Sequence, residues 1–263
     1  MNFSLNKKDM ILCIDVGNTD VCIGGFENDE LKFVTRVSTN ATKTTQEYES
    51  IIHHMLTLKG ITRECVTGAI ISSVVPVLSS VMHDVMKALY GVDAIHVSLK
   101  IDTGIEVVCD DPSSVGADLI CACVAARYIH GCPSLIIDTG TATKMMVVNS
   151  EGRFIGVSIM AGIMMGMRAL SSGTAQLPQF SLEAPEKAIG TNTVECMKSG
   201  AVFGHAAMLD GMIDRFCEEY GENLPVIATG GYSHAILPHC KHDVVLDEDL
   251  VLKGLNIIYK RNA

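Results

Sequence analysis

No stretch of this chain is both long enough and clean enough of charge to cross a bilayer, and residues 1–10, short and polar, do not read as a secretory leader. Charge itself is scarce. Only 19% of residues are Asp, Glu, Lys or Arg, against 48% apolar, which excludes a disordered chain and describes a globular one. Basic residues are scarcer still, 20 against 30 acidic ones, and the net charge of −10 disfavours non-specific binding to nucleic acid or anionic membrane. A small anionic substrate would therefore have to meet local cations or backbone donors. Metal-site spacing is lacking as well: neither Cys121-Ala122-Cys123 nor His239-Cys240-Lys241-His242 has a second ligand pair at zinc-site distance, so both read as core or surface. With no leader expected, the ten cysteines read as reduced thiols of a cytoplasmic protein.

What the chain does have is one pattern twice. Ile11-Leu12-Cys13-Ile14-Asp15-Val16-Gly17-Asn18-Thr19 and Leu135-Ile136-Ile137-Asp138-Thr139-Gly140-Thr141-Ala142-Thr143 each read as a buried strand that delivers a carboxylate to a glycine turn. Glycine lets backbone approach a phosphate closely, and the hydroxyls of Thr19, Thr141 and Thr143 are potential donors to it. A strand-end carboxylate can hold Mg2+ directly or through water, which makes Asp15 and Asp138 the metal candidates. Asp, Gly and Asn are also ordinary turn residues, so one copy alone is equally a hairpin; two copies and a later glycine pair point to nucleotide phosphoryl transfer.

The elements around these turns repeat too. Strands are predicted at 10–14, 21–26 and 31–37, then a helix at 45–58, a strand at 69–73, a helix at 76–89 and a strand at 94–97. The second half is predicted as a helix at about 118–129, strands from 135, at 145–148 and near 154–159, and helices at about 163–170, 194–220, 234–239 and 250–260, with a strand at 226–228. A duplicated meander with alternating helices implies two similar α/β domains, 1–117 and 118–263, facing a nucleotide cleft. The methionines at 145, 146, 160, 164, 165 and 167 read as adaptable core, and His53, His54 and His205 as surface or helix-packing residues.

These residues also resemble a known family. Asp15 to Thr19, Ile71-Ser72-Ser73-Val74-Val75-Pro76, Asp111 to Asp118, Asp138 to Thr143, Thr174-Ala175-Gln176-Leu177-Pro178, Thr229-Gly230-Gly231 and Asp249 to Leu255 are similar, in order and spacing, to the motifs of type III pantothenate kinases. The resemblance implies two ribonuclease H-like, actin-like ATPase domains and ATP-dependent phosphorylation of the primary hydroxyl of pantothenate, the first step toward coenzyme A. It implies that Asp15, Val16, Gly17, Asn18, Thr19, Asp20, Thr141, Gly230 and Gly231 bind Mg-ATP, and that Asp138 holds a monovalent cation, K+ or NH4+. Asp118 would be the general base, with Gly116, Ala117, Leu119 and Thr193 lining the substrate pocket. A cytoplasmic homodimer is implied, with the Ala- and Cys-rich helix that starts near Asp118 as its packing surface.

Local physics gives Asp118 two readings: a helix-start acid that favours the dipole, or a carboxylate able to take a proton from an alcohol. The chain departs from the family where chemistry is close. Leu119 stands in place of the usual Arg, Cys109 in place of Tyr, Lys144 in place of Thr, and Gly156-Val157 and Ala161-Gly162 in place of Gly-Gly and Pro-Gly. A carboxylate anchor relocated to Arg127, Arg168 or a backbone site, a different small alcohol as acceptor, and a non-catalytic ATP-binding module are the alternatives these changes open. Lys144 itself reads either as an exposed lysine at a strand edge or as positive charge placed at the second phosphate loop.

Overall fold

A computed structural model describes residues 9–173, 178 and 180–263, so residues 174–177 of the Thr174 to Pro178 motif lie outside the described residues. The chain divides into two compact units. The first holds β1 (Met10–Val16), β2 (Asp20–Glu27) and β3 (Glu30–Ser38), an antiparallel meander, followed by α1 (Thr45–Leu58), β4 (Val66–Ser73), α2 (Pro76–Tyr90) and β5 (Ile95–His96). Its sheet runs β3-β2-β1-β4-β5, with β4 and β5 parallel to β1.

The helices form where local signals agree. In α1, Tyr48, Ile52 and Leu56 recur every fourth residue and are buried, while Thr44 and Glu47 make a reciprocal capping box. In α2, Pro76 opens the helix, Leu78, Met82, Val85 and Met86 face inward, and Gly91 closes it at φ 74°. These faces meet Leu12, Ile14, Ile23 and Ile71 in one core.

The second unit begins after β6 (Glu106–Val107) and α3 (Ala117–Ala125) with β7 (Ser134–Thr139), β8 (Ala142–Val148) and β9 (Arg153–Ala161). α7 (Leu250–Asn262), which belongs to the first unit, comes after the second unit's α4 (Ile163–Gly173), α5 (Thr193–Tyr220), β10 (Val226–Thr229), α6 (Ser233–Ile236) and β11 (Val244–Leu246). The second unit's sheet runs β11-β10-β7-β8-β9-β6. Apart from the added β6 edge, this is the first sheet over again: an antiparallel meander with two parallel strands beside its first strand. The duplicated α/β plan of the sequence reading is therefore present, each unit with its own core.

Several details differ from expectation. The two units are not 1–117 and 118–263: α3 and α7 belong to the first, which comprises 1–106, 110–125 and 250–263, while the second is 107–109 with 126–249. Close helix packing ties them there, since a Cβ on Gly254 of α7 would lie 1.9 Å from the Cys121 carbonyl of α3. The helix expected at 118–129 changes at Ala126–His130 into one π turn. Leu119 to Ala125 are all buried within the single chain, so this Ala- and Cys-rich face is internal and does not serve as the surface for a second copy. The short strands β6 and β11 carry too few residues to show a period.

Candidate functional site

In the first unit, the functional turn is built from strand ends. Asp15 is the penultimate residue of β1, opposite Cys22 of β2 and Ser72 of β4. The chain then reverses through Gly17, whose N–H donates to the Asp20 carbonyl at 2.9 Å. A Cβ at Gly17 would sit 3.1 Å from that carbonyl, so glycine is the residue that leaves the turn tight. Thr39 clamps it from β3's side, its Oγ1 donating to the Gly17 carbonyl at 2.7 Å and its N–H to the Thr19 carbonyl at 2.8 Å. Asn18, Thr19 and Asp20 are left exposed at the tip, and Val16 is buried beneath them.

Asp118 lies in the same unit, in the first turn of α3. The turn before it is preset by Asp111, whose carboxylate accepts from the Ser113 N–H at 3.1 Å, and Gly116 then starts the helix by accepting from the Leu119 N–H at 3.1 Å. Asp118 Oδ1 folds back to within 2.5 Å of where a Gly116 Cβ would be, so only glycine admits this carboxylate over the helix start. The half-buried acid thus sits over the first turn of α3.

Cys121, one turn along α3, feels the charge of both acids. Burial pushes its thiol well up, and the charges of both Asp15 and Asp118 push it further in the same direction. Ser72, opposite Asp15 and fully buried, makes no well-formed hydrogen bond through Oγ, yet it is near enough to the Cys121 sulfur to favour the thiolate weakly. Two carboxylates around one inert thiol at the carboxyl ends of β1 and β4 are a place where a cation and an alcohol can both be served. In the sequence Cys121 read only as core or surface and Cys22 was not singled out; the signal for Cys22 was strand register and that for Cys121 the packing of α3, both legible only in the fold.

The second unit repeats the turn with a change. Asp138 precedes Thr139 at the end of β7, opposite Lys144 of β8 and Thr229 of β10. Its Oδ2 accepts from Lys144 Nζ at 3.0 Å, and both side chains are mostly covered, 16% and 19% exposed. The other oxygen, Oδ1, nests between two glycine turns, 3.3 Å from a Cβ position at Gly140 and 2.7 Å from one at Gly230. Gly230 holds φ at 98°, and the same Cβ would strike the Thr139 backbone, so no other residue fits there. Thr139 Oγ1 joins the turns by bonding the Thr229 carbonyl at 3.2 Å and Ser233 Oγ at 2.8 Å. Thr141 and Gly231 are exposed beside them. The structure therefore gathers Asp138, Gly140, Thr141, Gly230 and Gly231 and adds Lys144, which is neither exposed nor at an outer strand edge.

The remaining candidates fall elsewhere. Thr193 is exposed at the first position of α5, behind the Asn192 cap. Leu119 is 6% exposed, so it offers no polar contact and an apolar one only from beneath. Arg127 donates to the Gly152 carbonyl at 3.0 Å, in the turn between β8 and β9. A hollow of about 570 Å3 in the second unit, between the end of α5 and His242, is at the starting ends of β7 and β10, away from the acid. Ligands of open α/β sheets bind at the other end.

A protein-only metal cage is not formed: no group of three or more His, Cys, Asp or Glu side chains converges among the described residues. Mg2+ does not need one, because it is usually carried on phosphates with one or two carboxylates. Asp15 beside an open glycine turn fits that demand.

Comparison with known proteins decides the lineage. Residues 11–215 match the family model described as type III pantothenate kinase. Type III pantothenate kinase of Rubrobacter xylanophilus is 38% identical over 260 residues, covering 97% of this chain and 98% of that protein. The chain belongs to the type III pantothenate kinase family. A second member, from Geotalea uraniireducens, is also 38% identical, over 96% of this chain and 99% of its own length. The activator of 2-hydroxyisocaproyl-CoA dehydratase from Clostridium difficile, solved with bound ADPNP, shares the fold at a TM-score of 0.52 and 12% identity, covering 96% of this chain and 94% of that one. As a type III pantothenate kinase family member, the chain is a kinase, and its carboxylates and glycine turns fit phosphoryl transfer. No helix among the described residues is long and apolar enough to cross a membrane.

Proposed function

We propose that this chain transfers the γ-phosphoryl group of ATP to the primary hydroxyl of pantothenate, with Asp118 as general base. The observation that carries the reading is the pairing of Asp15 and Asp118 around Cys121, in a chain of this family. Asp118 accepts the hydroxyl proton as the alcohol oxygen bonds to the γ-phosphorus; the bond from that phosphorus to the β–γ bridging oxygen breaks, and ADP leaves with the electron pair. Bound Mg2+ supplies charge neutralisation at the phosphate oxygens, and Asp15 is the residue to hold it, directly or through water.

The turn of Val16, Gly17, Asn18, Thr19 and Asp20 offers backbone and hydroxyl donors to phosphate, as do Thr141, Gly230 and Gly231. Asp138 is the carboxylate for the monocation the family resemblance implies. For the acceptor the family resemblance points to Gly116, Ala117 and Leu119 in the first unit and to Thr193 in the second, and Leu119 leaves the pantothenate carboxylate to donors other than the usual Arg. No disulfide joins any of the ten cysteines among the described residues, which supports a reducing, cytoplasmic setting. A homodimer completes the reading; a solution mass of one 28.2 kDa chain would contradict it.

Steady-state turnover with pantothenate and Mg-ATP tests the assignment. Asp118→Asn should lower kcat by about 10²- to 10⁴-fold with the ATP affinity little changed. A variant that keeps its rate removes Asp118 from the chemistry.

A further inference from the structure

The monovalent cation implied at Asp138 meets an occupied carboxylate. Asp138 and Lys144 are cross-strand partners, so their side chains leave the same face of the β7–β8 hairpin at adjacent positions, and Nζ reaches Oδ2 at 3.0 Å. Oδ1 is walled by the glycine turns at Gly140 and Gly230. A free monocation would have to share a carboxylate already neutralised and stand beside a fixed ammonium of like charge in a covered site, where water screens repulsion poorly. The residues present do not fit a free K+ or NH4+.

We propose that Lys144 is itself the monocation: its tethered ammonium stands at Asp138 in place of free K+ or NH4+, so that phosphoryl transfer by this chain proceeds without added monovalent salt. The proposal rests on the kinase reading above. It concerns which charge the site uses, and not whether Asp118 acts as base.

The chemistry of the substitute is close to the original. A lysine head group is a compact single charge with N–H donors and no acceptor, an alkylated ammonium ion. A free ion occupies its site in proportion to its concentration, whereas a side chain held in strand register supplies its charge at an effective concentration no buffer change alters. The competing role, an ion pair that only braces the hairpin, predicts that removing the ammonium weakens the fold and leaves the response to salt as it was.

The test compares the full-length protein with Lys144→Thr and Lys144→Met in buffers where K+ is exchanged for tetramethylammonium at constant ionic strength. ADP and phosphorylated product are read directly, and thermal unfolding is followed in parallel. Wild type should be indifferent in both readouts, changing by less than about twofold in turnover. Lys144→Thr should lose on the order of tenfold or more in tetramethylammonium, recover with K+ or NH4+, and acquire a K+-dependent rise in Tm, because an ion that binds only the folded state stabilises it by mass action. Lys144→Met, which keeps the apolar stem, stands in if the threonine variant does not fold.

Strong K+ activation of wild type, or a K+-dependent rise in its Tm, overturns the proposal. So do variants that fold yet show no K+-dependent gain in Tm. Failure of every form to phosphorylate pantothenate counts instead against the kinase reading, and the unfolding comparison then decides the cation question alone.

Discussion

The two units are one design written twice, and they differ most instructively at a single register position. In the first sheet the strand-end acid, Asp15, has Cys22 across from it and Ser72 beside it. In the second, Asp138 has Lys144 across and Thr229 beside. Sheet order, strand polarity and the following glycine turn are the same, so the cross-strand partner is what sets the charge of each site. A carboxylate facing a thiol keeps its attraction for a divalent ion. One facing an ammonium has its counter-charge built in. The two strand ends share an acid and differ in the residue that faces it.

The largest expected effect bears on how differently the two units are assembled. The first is stitched from separate chain segments by α7, and Gly254 is the contact that admits it. Gly254→Ala would drive a Cβ into the Cys121 carbonyl, backbone that cannot rotate away, at a cost of about 3 kcal/mol or more. Urea unfolding should show that loss, with the first unit's signals moving before the second's; an unchanged midpoint would dismiss the contact.

The next experiment copies one unit's device into the other. Cys22→Lys sets an ammonium opposite Asp15 and should weaken Mg2+ use on the order of tenfold to a hundredfold, partly recovered by raising Mg2+. If turnover and its Mg2+ dependence are untouched, register position does not govern ion choice. Asp138→Asn does the reverse, leaving a covered ammonium without its carboxylate, and should lower stability by about 1–3 kcal/mol in a denaturant titration. A neutral result would make the pair ornamental to the fold.

The smallest effect is in pH. Burial holds His205 of the second unit below the usual histidine range, with Thr143 Oγ1 2.8 Å from its Nε2. His96 of the first is likewise lowered, by burial and then by His83. The unfolded chain then binds protons that the folded one refuses, so stability declines as pH falls from about 6.5 toward the lower folded values. His205→Gln and His96→Gln should each flatten part of that decline in Tm; a slope unchanged in both would mean other groups set it.

Much of this was legible in the residues. The period of Tyr48, Ile52 and Leu56 and the Thr44 and Glu47 cap place α1 at the expected bounds, because local propensity and burial agree. The meander strands were likewise readable, since Asp15 and Asp138 end apolar runs before glycines. The unit boundary was not, because the attachment of α3 and α7 to the first unit is a long-range packing choice that leaves no local mark. The Lys144 pairing needed strand register, which a slip of one residue would invert. Leu119 illustrates the same limit: its burial depends on what α3 packs against, which sequence position alone does not state.

One consequence of α7 concerns synthesis. A nascent chain makes β1 to β5 long before α7, the helix that packs on them with Leu250, Leu252, Leu255 and Ile258 buried. Until α7 is made, those strands wait with apolar surface uncovered while the whole second unit is translated, the kind of exposure that makes a partly made chain prone to aggregate.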